Sequence, residues 1–380
     1  MKKDRKKKTP GQFLMFICFV LAGFAAGIGI GWCLDRPGIK ELGKGEKLFV
    51  LAGALLAFYA AMFLQTIIHE GGHLIAGLLS GYHFSSFRIG SFMWVKEDGR
   101  IHFRRHSLAG TGGQCLMIPP QMKDGNCPTT LYNLGGPLLN LISIPLFLLL
   151  CAGFSKSSPA VLFFLMCAVA GACTGLTNGI PLSLGMIDND GYNALEMRKD
   201  KAAQKAFWIQ MSIVEQTSQG VRLKDMPSEW FTMPQDEEMK KNSIITAQAV
   251  FCENRLMDEM EFVRAKELID VLLSKNTRMA GIYRDLLICD RIFLELLYDK
   301  DEEILKELYS KELKKFMKQM QRFPSVIRTE YALAALYEKD AAKAQMALER
   351  FEKCSKTHPY PTDIESEREL LELITRQKES

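Results

Sequence analysis

The stretch TIIHEGGHLIAG, residues 66–77, sets two histidines and a glutamate inside a long apolar run. On insertion scales an ionisable group inside a membrane helix costs about 2.5 kcal/mol or more, and such groups are functional by default. Residues four apart share one face of a helix, so His69 and His73 can aim two imidazoles at a single ion. Glu70 lies about a hundred degrees around from His69. There it can touch a metal-bound water without being a ligand. This is the H-E-x-x-H spacing, in which the glutamate serves as general base. Gly71, Gly72 and Gly77 remove side-chain bulk and let neighbouring backbone approach. The competing structural reading is two histidines hydrogen-bonded between helices, which leaves Glu70 without a use.

Working outward, the chain of 380 residues divides near residue 198. The first part holds four apolar segments, 13–32, 48–79, 131–154 and 160–186, and roughly 20 apolar residues suffice to cross the hydrocarbon. The second part is charged and helix-prone. The expected fold is therefore an α-helical polytopic membrane domain over 1–197, followed by an all-α domain over 198–380. The first span follows a basic MKKDRKKK, so a signal peptide competes with an uncleaved anchor; an h-region of about 7–15 residues is shorter than this one. Lysines and arginines at the N-terminus and in the loop between spans two and three put both termini in the cytoplasm of a multi-pass cell-membrane protein. Arg36, Lys40, Lys44 and Lys47 run against that assignment. Ten cysteines without a C-x-x-C pair read as free thiols. A net charge of +4 with no basic stripe argues against nucleic acid as a partner.

Two histidines leave zinc one protein ligand short. Asp188 and Asp190, just after the fourth segment, are the carboxylates that reach the same side, with Glu196 further along. At this point HEGGH, NLGGPLLN (133–140), and NGIP (178–181) with NDG (189–191) together resemble the site-2 protease family of intramembrane zinc metalloproteases. The likeness covers residues 48–195. It implies one Zn²⁺ per chain held by His69, His73 and Asp190, with Glu70 as catalytic acid/base and Asn140 and Asn178 at the substrate. The family interval to the aspartate is shorter and has a proline where Ser183 stands, which keeps Asp188 as an alternative. The family's membrane-associated β-hairpin would fall at 84–105, around the turn EDG. An exposed strand edge there would clamp an unwound substrate segment.

In the C-terminal part, Tyr331, Ala334, Ala335, Ala347, Phe351, Cys354 and Pro359 match the small, aromatic and proline positions of a 34-residue tetratricopeptide unit. A plain helical bundle is the alternative. A repeat-like tail implies a protein partner on its face. The function these features imply is hydrolysis of membrane-anchored protein or peptide precursors near the cytoplasmic face, within the bilayer. Two other readings stay open: a non-catalytic membrane scaffold with a structural zinc and a partner-binding tail, and an anchored peptidase for soluble substrates.

Overall fold

The computed structural model describes residues 41–379 except 98, 107–111, 155–158 and 184–187, with isolated positions between 17 and 31. The expected first span, 13–32, thus lies largely outside the described residues. Three helices are long and apolar enough to cross a membrane. They are α1 (Lys44–Leu79), α2 (Thr129–Ala152) and α3 (Pro159–Gly179). At 1.5 Å per residue the 36 residues of α1 extend about 54 Å, well beyond the roughly 30 Å of hydrocarbon. Leu48, Phe49, Leu55, Leu56, Tyr59 and Phe63 stand exposed on α1. In water such a surface would be a liability; against lipid it is the ordinary outward face.

The fourth expected span ends seven residues earlier than its hydropathy suggests. α3 stops at Gly179, and the described residues that follow, 180–183 and 188–189, are not helical. Pro181 favours the stop, because its ring disfavours helical geometry in the residue before it. A short helix α4 then runs Asp190–Met197.

The chain separates into two compact units, residues 1–83 with 128–199, and 84–127 with 200–380. In the first, Ala61 of α1, Phe147 of α2 and Met166, Cys167, Ala168 and Ala170 of α3 form a buried cluster. Amid it sits Gln65, fully buried. Its amide donates to Ser143 Oγ at 3.0 Å and to the Cys167 carbonyl at 2.9 Å. Its Oε1 accepts from Asn140 Nδ2 at 2.7 Å. One side chain thereby ties three helices together, as polar residues do where no water can satisfy them.

The second unit begins with four strands, β1 (His83–Ile89, its first residue belonging to the first unit), β2 (Phe92–Glu97), β3 (Arg100–Arg105) and β4 (Gly113–Ile118). The sheet order is β3-β2-β1-β4. The hairpin expected at 84–105 is therefore three strands of a four-stranded sheet. Its register pairs Trp94 with Phe103 and Glu97 with Arg100 next to Gly99, whose φ of 75° is a left-handed conformation that favours glycine. Met93 and Val95 face inward while Phe92, Trp94 and Phe103 remain exposed. The sheet belongs with the C-terminal helices: Trp208 Nε1 of α5 (Lys201–Ser218) donates to the Pro120 carbonyl at 3.1 Å, and the Cys127 amide donates to Gln204 Oε1 at 2.9 Å.

The remaining helices are α6 (Asp236–Lys241), α7 (Ser243–Asp258), α8 (Phe262–Ser274), α9 (Gly281–Leu294), α10 (Glu302–Leu308), α11 (Lys311–Gln319), α12 (Pro324–Ala332), α13 (Ala341–Ser355) and α14 (Pro361–Glu379). Asn242, Asp301, Ser310 and Asp340 cap four of them with side-chain acceptors. Of the positions read as a tetratricopeptide unit, Tyr331, Ala334, Ala347 and Phe351 are buried, while Ala335 and Cys354 are half-buried. All eight described cysteines are free.

α1 and α2 meet at glycines, and a Cβ on Gly135 would lie 2.5 Å from the Ala76 Cβ. Gly135→Val should therefore separate the helices and destabilise the first unit by about 1–3 kcal/mol or more. A thermal melt in detergent should show the midpoint falling; an unchanged midpoint would contradict this close approach.

Candidate metal centre

Residues of α1, α2 and α4 build the site, and backbone proximity comes first. A Cβ on Gly136 would stand 2.5 Å from His73 Nε2 and 2.7 Å from His69 Cε1. The glycine pair of NLGG thus makes the room that the two imidazoles occupy.

The third side chain arrives through Asn189, which caps α4. Its Oδ1 accepts from the amides of Tyr192 (2.9 Å) and Leu182 (3.0 Å). Its Nδ2 donates to the carbonyls of Thr177 (2.7 Å) and Ile180 (2.6 Å). One asparagine therefore folds the segment after α3 back onto the end of that helix. Gly191 permits the closure, since a Cβ there would lie 2.7 Å from the Gly179 carbonyl carbon. Asp190, between them, is delivered to the histidines.

His69 Nε2 lies 3.2 Å from His73 Nε2, and Asp190 Oδ2 lies 3.1 Å from the first and 3.5 Å from the second. A tetrahedral zinc with bonds of about 2.0–2.1 Å separates its ligand atoms by about 3.3–3.4 Å. The observed triangle has that size. The far nitrogens fix the tautomers. His69 Nδ1 is 2.7 Å from Asn140 Oδ1, and His73 Nδ1 is 2.8 Å from the Tyr132 carbonyl. Both partners are acceptors, since the Asn140 amide nitrogen donates to Gln65. Each Nδ1 accordingly carries the proton, and each Nε2 turns a lone pair inward. Two lone pairs and a carboxylate facing one another at these distances call for a cation. Asp190 Oδ2 has no hydrogen-bond donor of its own, as a metal ligand requires. The donor set fits zinc.

Among the described residues His69, His73 and Asp190 are the group that converges in this way. Glu70 is buried on the same helix turn. Asp188 forms an isolated antiparallel backbone bridge with Ser183 and stands outside the group. Asn140 is fully buried with both ends of its side chain engaged, so the use the structure gives it is to orient His69. Asn178 donates to the Thr174 carbonyl one turn back on its own helix, at 3.0 Å. Gln65 and the Tyr132 carbonyl support the site and were not singled out in the sequence, and Asn189, there only part of NDG, supports it as the cap of α4. Gln65 carried a usable signal, a lone amide in an apolar run one turn before His69.

Comparison of the chain with protein-family models, curated proteins and solved structures gave no match. The chemistry is therefore read from this geometry.

Removing the hydrogen bond behind a ligating histidine usually costs 10–100-fold in metal affinity. Asn140→Ala should weaken zinc binding by about that factor in a chelator-competition titration. Asp190→Asn should lose the metal more completely than Asp188→Asn, which should retain it.

Proposed function

We propose that the protein is an intramembrane zinc metalloendopeptidase of the site-2 protease type, hydrolysing peptide bonds of membrane-anchored protein or peptide precursors near the cytoplasmic face. The observation that carries the reading is the His69–His73–Asp190 triangle, with both histidines on a helix long enough to span a bilayer and Glu70 buried on the same turn. A structural zinc is normally closed by four protein ligands, whereas a catalytic one keeps a position open. Three convergent ligands among the described residues favour the enzyme over the scaffold.

When bound, zinc would supply a Lewis acid that polarises the scissile carbonyl and makes water acidic enough to attack near neutral pH. The chain's own residues do the rest. Glu70 takes the proton from the attacking water and returns it to the departing amine. Asn140 and the Tyr132 carbonyl keep both imidazoles in the ligating tautomer. The glycines of α2 keep side chains out of the space beside the histidines. A substrate helix hides its amides in its own hydrogen bonds and has to unwind before attack. In this reading both termini are cytoplasmic and the C-terminal helices bind a protein partner or substrate in the manner of tetratricopeptide repeats.

Glu70→Gln should keep one zinc per chain while cleavage falls by about 10²–10⁴-fold, the usual share of general acid–base catalysis. Metal analysis and cleavage of a membrane-anchored reporter measure the two sides. A Glu70→Gln protein that still cleaves, or still supports the cellular role in full, would sink the enzyme reading in favour of the scaffold.

A further inference from the structure

Behind His73 stand two tyrosines. Tyr132 meets the histidine twice. Its carbonyl accepts from Nδ1 at 2.8 Å, and its ring packs against the imidazole, tilted by 56° with centroids 5.8 Å apart. Tyr82 lies on Tyr132 in turn, the two rings nearly parallel at 12° with centroids 4.8 Å apart. With the 4.8 Å contact between His73 and His69, four rings form one continuous row that ends at the metal ligands. Tyr82 and Tyr132 are both buried. The row lies wholly within the first unit.

The turn that ends α1 puts Tyr82 in this place. The helix stops at Leu79, and Gly81 adopts a φ of 83°, in the left-handed region that favours glycine. The Gly81 amide donates to the Leu78 carbonyl at 3.1 Å, and the Tyr82 amide to the Gly77 carbonyl at 2.9 Å. These two bonds make the Schellman closure, in which the residue after the glycine folds back against the helix it leaves. The chain enters β1 only at His83, so Tyr82 is turned inward before the sheet begins.

Tyr132 has use for such a support. It lies in the first turn of α2, and Pro137 stands inside that helix. A proline within a helix offers no amide to the carbonyl four residues before it, here that of Asn133, and its ring crowds that carbonyl. The ladder of α2 is therefore interrupted beside Tyr132, and this turn has less of its own to hold it. Aromatic pairs prefer offset-stacked or edge-to-face geometry, so a ring at position 82 fixes the tilt of Tyr132 as well as burying it. The tilt of Tyr132 sets the reach of its carbonyl to His73.

We propose that Tyr82 is a positioning residue of the metal centre: stacked on Tyr132, it keeps that residue's carbonyl on His73 Nδ1 and so keeps His73 Nε2 turned toward His69 and Asp190. The inference rests on the zinc reading of this site and extends its support to a residue outside the HEGGH, NLGG and NDG motifs.

The full chain in nanodiscs, stripped of metal, tests this with two probes. Zinc in chelator competition gives the affinity, and cobalt in its place gives a visible absorption that reports the ligand geometry. Tyr82→Leu keeps an apolar side chain and removes the flat ring, whereas Tyr82→Phe keeps the ring. Tyr82→Leu should bind zinc roughly threefold to tenfold more weakly, the scale of one aromatic contact, and should shift the cobalt bands. Tyr82→Met, a second ring-free side chain, should do the same, and Tyr82→Phe should match the unmodified protein in both measurements. Tyr132→Leu should also weaken binding, and adding Tyr82→Leu to it should cost nothing more, because the two act through one contact. Unchanged affinity and cobalt bands in the ring-free variants overturn the proposal, whatever their melting midpoints. Equal losses in Tyr82→Phe and Tyr82→Leu, or additive losses in the double variant, overturn it as well. If the unmodified protein takes up neither metal, the zinc reading falls and this inference with it; if it takes them up and the ring-free variants match it, this inference alone falls.

Discussion

The structure of the first unit turns on the meeting of two imidazole lone pairs and a carboxylate within about the edge length of a zinc tetrahedron. Without a cation or a proton between them these atoms repel, and an apolar surround magnifies the repulsion. Holding them together therefore demands support that the apolar packing of helices does not supply by itself. The support is visible residue by residue. Gly72, Gly135 and Gly136 bring α1 and α2 close enough for the rings to fit. Asn140 and the Tyr132 carbonyl take the outer nitrogens. Asn189 turns the chain after α3 so that Asp190 arrives.

Behind this first layer lies a second one, less conspicuous and equally costly to lose. Gln65 links Asn140, Ser143 and the Cys167 carbonyl, so the residue that orients His69 is itself oriented by the other two helices. Between apolar helices every polar group must find its partner within the protein. The network satisfies that requirement and, in doing so, fixes the tautomer of a ligand one turn away. Packing and chemistry are here one set of hydrogen bonds.

The helical unit distributes its polar groups differently. Arg291 is buried between Asp270 and Glu295, and Arg222 between Asp258 and Glu369, with donors and acceptors balanced. Arg328, at the wall of a cavity, is paired with Asp290 and Glu367.

Much of this could be read along the chain. The spacing of His69, Glu70 and His73 needs only helical geometry, and an apolar run of sufficient length announces its own helix, so the motif and three of the four expected apolar helices were legible. Asp190 was favoured over Asp188 by the glycine that follows it, and the backbone contact of Gly191 with Gly179 supplies the reason. The small and aromatic positions near Tyr331 and Phe351, read as those of a tetratricopeptide unit, are buried, as they are in a repeat and in a plain bundle alike. What the sequence could not decide depended on contacts distant along the chain. The attachment of the 84–118 sheet to helices that begin eighty residues later, the staple made by Asn189, the buried amide of Gln65 and the stack of Tyr82 on Tyr132 all arise from pairings between residues apart in the chain. Local pattern carries the period of an element and the identity of its ligands. Which carbonyl stands behind a histidine, and which ring stands behind that carbonyl, is settled only when the elements pack and each polar group meets the neighbours that tertiary structure assigns to it.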